Sequence, residues 1–168
     1  MDGVMVPFWG AGQDSAMKKD NIWEAEPMSK KAVKILNSIL DETDAEIVIS
    51  SDWRHYYSLP VMREIFKANG VKKLPIAYTN ESKHYIAGNL EGGREVEISL
   101  WVKHHRIDYW VAIDDLNMTG LAPHFVFCQK PNGEGLKQTG LKDKVLKALS
   151  VKNEHYQGYR INMDSKEG

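Results

Sequence analysis

Long apolar runs are missing from this chain: no stretch approaches the roughly 18 consecutive apolar residues of a membrane-spanning helix. The amino end has no basic start followed by an apolar run, so no secretory signal is expected. Cysteine is almost absent. Cys128 stands alone, which excludes an internal disulfide and gives no sign of an oxidising compartment. It sits in His124-Phe125-Val126-Phe127-Cys128, where burial in a strand is the plain reading. A surplus of either charge is lacking too. The 22 basic and 23 acidic residues leave a formal net charge of -1, so no broad basic field for sequence-independent capture of nucleic acid is implied. Neither His-x-x-x-His nor a Cys/His spacing supports zinc. There is no Gly-x-x-x-x-Gly-Lys-Ser/Thr phosphate loop, and Gly92-Gly93 is too little for a nucleotide fingerprint. The histidines and the five tryptophans read as surface and packing residues rather than ligands or base-stacking platforms. A cytoplasmic protein with no membrane association is expected.

What is present suits one domain. The 168 residues, 42% hydrophobic and 27% charged, are enough for a single core and argue against disorder of the whole chain. We expect a domain over residues 1–150 and a polar tail over 151–168. Residues 5–27 mix Gly, Pro, Trp and polar residues without a period and read as a loop or a small lid. From Ser29 the spacing of Ala32, Val33, Leu36, Ile39 and Leu40 predicts a helix. Ile47-Val48-Ile49 predicts a buried strand. A second helix is expected from Ser58, with Pro60 in its first turn and Asn69-Gly70 as its stop. Residues 74–78 read as extended, and 79–93 as loop. Over 94–105, Val96, Ile98, Leu100 and Val102 alternate as in a strand, although Arg94, Ile98, Trp101 and His105 would share a helical face. Periodicity favours the strand. Strands are expected at 109–113 and 125–127. Leu141, Val145, Leu146 and Leu149 mark a last helix, with Thr139 as its cap.

Short apolar strands alternating with helices predict an α/β fold with a mainly parallel sheet covered on both faces. In such sheets ligands lie outside the carboxyl ends of the strands. Three polar clusters fall at such positions: Asp2-Gly3, Ser50-Ser51-Asp52 and Asp114-Asp115. Carboxylates and a hydroxyl converging there would make a hard, oxygen-rich pocket of the kind magnesium and phosphate oxygens prefer. A cation would also relieve the repulsion between Asp114 and Asp115. Each cluster has a plainer reading. Paired aspartates after a strand often mark a solvated turn or a helix cap, and Ser50-Ser51 also fits a turn.

The order of these clusters resembles the haloacid dehalogenase (HAD) superfamily. There, a first strand ends in Asp-x-Asp-Gly-Val, a second ends in Ser or Thr, a basic residue follows, and a later strand ends in acidic residues. Met1-Asp2-Gly3-Val4, Ile47-Val48-Ile49-Ser50, Arg94 and Ile113-Asp114-Asp115 match these features. More narrowly, Ser50-Ser51-Asp52-Trp53-Arg54 is similar to the Ser-Ser-x-Trp-Arg signature of the HAD domain in "Swiss army knife" RNA-repair proteins. Residues Arg94 to Trp101 look like its Arg-x-x-Glu-Ile-x-x-Trp segment, which is helical there, and Gly140-Leu141 fits its closing Gly-Leu. The resemblance covers roughly Met1 to Leu149 and implies a Rossmann-like HAD fold with a minimal cap.

It also implies roles. Asp2 would act as general acid and base, and its carbonyl would ligate Mg2+ together with Asp114 and Asp115. Ser50, with Ser51, would bind the phosphoryl group. Arg94 would stabilise its charge, with Lys83 as a weaker alternative, and Trp53 and Arg54 would brace the loop. The first motif aspartate, the nucleophile, corresponds to a position just ahead of Met1, so the sequence is expected to continue upstream through a strand ending in Asp. Two functions follow: a magnesium-dependent phosphomonoesterase acting on a phosphorylated small molecule or a nucleic-acid end, or a catalytically inactive HAD-like binding module.

Overall fold

The computed structural model describes residues 4–5, 28–79, 90–128 and 134–154, with side chains in the third helix from residue 93 onward. Helix α1 spans Lys30–Thr43. The Ser29 side chain accepts the Ala32 N–H at its start, and Asp44, at φ 54°, ends it in the left-handed region, a conformation that Asp tolerates better than most residues. Ala32, Val33, Ile39 and Leu40 are buried, the face expected from their spacing. Strand β1, Val48–Ile49, is followed by a 3-10 turn over Asp52–His55. Helix α2 covers Leu59–Ala68 with Pro in its first turn and buries Met62, Ile65 and Phe66. It stops at Asn69, and Gly70 follows at φ 80°, where a side chain would be strained.

Strand β2 is Ala77–Tyr78, α3 is Leu90–His105, β3 is Ala112–Asp114, β4 is Phe125–Phe127 and α4 is Leu141–Leu149. Short 3-10 turns at Thr119–Leu121 and Gly135–Lys137 complete the elements. The strands pair in parallel, as expected. β1 lies beside β2 with Val48 opposite Ala77, and β3 beside β4 with Ile113 opposite Val126. The two pairs form separate two-stranded sheets among the described residues.

Side chains alternate across β3, and this separates the two hydrophobic clusters. Ile113 and Val126 pack with α1, α2 and α4, whereas Ala112 and Phe125 pack with Ile98 and Val102 of α3. The β3–β4 pair is therefore covered by helices on both faces, the α/β arrangement of a HAD-like fold. Val4 and Met5 belong to the first cluster. Their carbonyls accept hydrogen bonds from Leu136 N–H (2.9 Å) and Ser29 N–H (2.8 Å).

Three expectations change. Residues 94–105 are helical rather than extended: Ile98 and Val102 are buried, while Val96 and Leu100 are exposed, so the apparent alternation resolves into two sets spaced four apart on opposite faces. Only Ala112 and Ile113 of the 109–113 run lie in β3, which ends at Asp114, and Tyr109 is 55% exposed. The cap position of α4 is Gly140, at φ 78°, instead of Thr139. Of the polar tail expected over 151–168, residues 151–154 are described, and there the Asn153 N–H donates to Asp108 O at 2.7 Å and its Nδ2 to Ile107 O at 3.3 Å; the rest lies outside the described residues. The loop expected over 5–27 lies outside the described residues except for Met5, and the loop over 79–93 is described only at Thr79 and from Leu90, where α3 begins. No helix among the described residues is long and apolar enough to cross a membrane.

Candidate functional site

All four strands run in one sense within their pairs, and polar groups collect where they end. Ser50 follows β1, Thr79 follows β2, Asp114 closes β3 and Cys128 follows β4. The run after β1 folds tightly because Ser51 acts as a cap: its hydroxyl accepts the Trp53 N–H at 3.4 Å. Trp53 is buried and meets Tyr57 edge to face, with ring centroids 6.1 Å apart. This buried indole anchors the turn, so Asp52 projects outward while Arg54 turns back. Arg54 Nη1 donates to the Ser50 carbonyl, and Nη2 donates to Glu97 Oε2 at 2.8 Å. The bracing role expected of Trp53 and Arg54 matches these contacts.

Arg94 reaches from the first turns of α3 into the same region. Its Nη1 donates to Asp114 Oδ2 at 3.0 Å, and its Nη2 to Asp52 Oδ1 at 2.7 Å. One guanidinium thus joins the segment after β1 to the end of β3. The Arg94 and Asp114 side chains are only 11% and 10% exposed, so this is a mostly desolvated ion pair. Burial alone would lower the Arg94 pKa, but the Asp114 and Asp52 carboxylates hold it above its ordinary value. Asp114 is further fixed by the Leu116 N–H, which donates to its Oδ1 at 3.0 Å, and its carbonyl accepts the Cys128 N–H at 2.8 Å. Burial, followed by the nearby Asp114 and Asp115 charges, pushes the Cys128 thiol up to about 12. That thiol is inert at neutral pH.

Of the residues singled out from sequence, Arg94 and Asp114 are in direct contact, and Ser50 is linked to α3 through Arg54. Asp115 is half-buried and next to Asp114 in the chain. Asp2 and Lys83 lie outside the described residues. Among the described residues no three acidic, histidine or cysteine side chains converge as a ready cation cage. Both oxygens of Asp114 accept hydrogen bonds, from Arg94 and from the Leu116 N–H.

Three residues with no role assigned from sequence join the network: Asp52, Thr79 and Glu97. Asp52 stood inside the Trp-Arg signature, but its reach to Arg94 depends on a turn that local pattern does not reveal. Glu97 was legible in principle. It lies three residues after Arg94, on the same face once the segment is read as a helix.

Residues 1–139 match a family described as the HAD domain in Swiss Army Knife RNA repair proteins. The chain belongs to this family. The match begins at the Asp2-Gly3 motif and runs past the Asp114-Asp115 motif, so every cluster described above falls within it. No curated protein and no solved structure matches the chain.

Proposed function

We propose that this HAD domain supports magnesium-dependent hydrolysis of a phosphomonoester. The carrying observation is the Arg94 bridge, which holds a guanidinium between the carboxylate closing β3 and the segment after β1. In this reading Asp114 and Asp115, with the Asp2 carbonyl, hold Mg2+, which when bound supplies positive charge to the phosphoryl oxygens. Ser50 donates its hydroxyl to one of those oxygens, and Ser51 shapes the turn that presents it. Arg94 offsets the charge of the transferring group.

The chemistry has two steps. Where the family's nucleophilic aspartate is present ahead of Asp2, its carboxylate oxygen would attack phosphorus, the ester P–O bond would break, and Asp2 would give its proton to the departing oxygen. Asp2, now a carboxylate, then takes a proton from water, which attacks the aspartyl-phosphate and releases inorganic phosphate. The family description favours a phosphorylated RNA end as substrate. The near-neutral charge of the chain fits recognition of a single end better than a grip on a long backbone.

The test compares this chain with one extended upstream through its coding sequence, using a chromogenic aryl phosphate with Mg2+ or with EDTA. The expected result is phosphate release by the extended chain, dependent on Mg2+ and reduced at least about a hundredfold by Asp114→Asn. If both forms are folded yet inactive, the hydrolase reading fails and the binding-module reading takes its place.

A further inference from the structure

Two strand ends meet at one carboxylate. Glu97 is only 4% exposed. Its Oε1 accepts the Thr79 hydroxyl at 2.6 Å, and its Oε2 accepts Arg54 Nη2 at 2.8 Å. Thr79 follows β2, and its N–H donates to the Ile49 carbonyl of β1 at 3.0 Å. Arg54 passes the contact on to the Ser50 carbonyl through Nη1. Arg54 Nε is buried with no hydrogen-bond partner among the described residues, so the place of this guanidinium depends on its two Nη contacts. One turn earlier on α3, Arg94 holds Asp52 and Asp114. A single helical face therefore ties the ends of β1, β2 and β3 together.

A carboxylate has reason to avoid this place. Burial raises the Glu97 pKa, and the Thr79 hydroxyl and the Arg54 charge offset that only in part. A desolvated acid kept against burial by two oriented donors suits a group that fixes geometry better than one that only adds stability.

We infer that Glu97 is a positioning residue for Ser50, acting through Arg54 and Thr79 to set where the turn after β1 meets a phosphoryl group. This rests on the reading of Ser50 as a phosphate contact. Misplacing a binding group by a fraction of an ångström is enough to weaken a preorganised site.

The test uses inorganic phosphate with Mg2+ as the probe, measured by calorimetry, alongside backbone amide resonances of the unextended and upstream-extended chains. Glu97→Gln keeps the size and an acceptor for Thr79 but loses the ion pair. It is expected to weaken phosphate binding about tenfold and to move the Ser50, Ser51 and Asp52 amides, leaving those of α4 in place. Thr79→Val, which removes one hydrogen bond with little change of volume, is expected to fall between wild type and Glu97→Gln and guards against a variant that fails to fold. Glu97→Asp is expected to restore part of the affinity. Affinity within twofold of wild type in folded Glu97→Gln, or an unmoved Ser50 amide, overturns the inference. If neither wild-type form binds phosphate, the phosphate reading of the site falls. The amide shifts then decide separately whether Glu97 sets the turn.

Discussion

At the scale of single residues, Arg94 and Asp114 dominate. Each is largely withdrawn from water, and Asp114 is paired with Arg94, which also meets the exposed Asp52. Removing one partner of such a pair strands the other as an uncompensated charge, which costs far more than an exposed ion pair is worth. Arg94→Ala is therefore expected to lower stability by about 3 kcal/mol, read as a drop in the urea midpoint. Adding Asp114→Asn to that variant should recover part of the loss, because an amide is cheaper to bury than a carboxylate. A midpoint for Arg94→Ala indistinguishable from wild type would show that Asp114 is not held in this way. Both residues were legible in the sequence, Asp114 from its place after an apolar run and Arg94 from its match to the family's basic position. Their mutual contact was not, since 20 residues separate them and only the fold brings them together.

At the scale of elements, α3 teaches most. Alternation over residues 94–105 pointed to a strand, because Val96, Ile98, Leu100 and Val102 are all apolar. Two of these face the core and two face outward, a division that only a helical repeat produces. The chemical pattern, Arg94 and Glu97 on one face, carried the correct information where hydrophobicity did not. Helices α1 and α2 were readable for the opposite reason: their apolar stripes are continuous and coincide with what is buried.

The packing of α1 on α4 has a pH signature. Lys142 Nζ donates to Glu42 and to Ser38 across this interface. The Lys142 hydrogen bond, then the one from Ser38, holds the Glu42 carboxyl below its ordinary value. A carboxyl with a depressed folded-state pKa stabilises the fold above its unfolded pKa and loses that contribution as pH falls through the folded value. Glu42 is exposed, so the effect is small and sensitive to salt. Thermal midpoints of wild type and Glu42→Gln are expected to differ slightly at pH 7, with wild type higher, and to converge as pH falls through the folded-state value. A difference that stays constant as pH falls would contradict the pairing.

At the scale of the whole molecule, the order of motifs along the chain indicated where polar side chains gather, since polar residues after short apolar strands belong at one edge of a parallel α/β sheet. Pattern alone could not supply the bonds that lock those ends together. Glu97, Thr79 and Asp52 matter through contacts over 18 to 43 residues of sequence, and no local period encodes such distances. The fold class was the most legible feature, and the wiring of the site the least.

In the proposed function, Asp114 and Arg94 are the cation side and the anion side of one site. If so, binding of Mg2+ and of inorganic phosphate must be thermodynamically coupled. The most direct measurement is the phosphate dissociation constant with saturating Mg2+ and with EDTA, in wild type and in Asp114→Asn. Affinity is expected to rise about tenfold or more with Mg2+ in wild type and to lose that dependence in Asp114→Asn. Phosphate binding indifferent to Mg2+ in wild type, or equal coupling in the variant, would contradict the account.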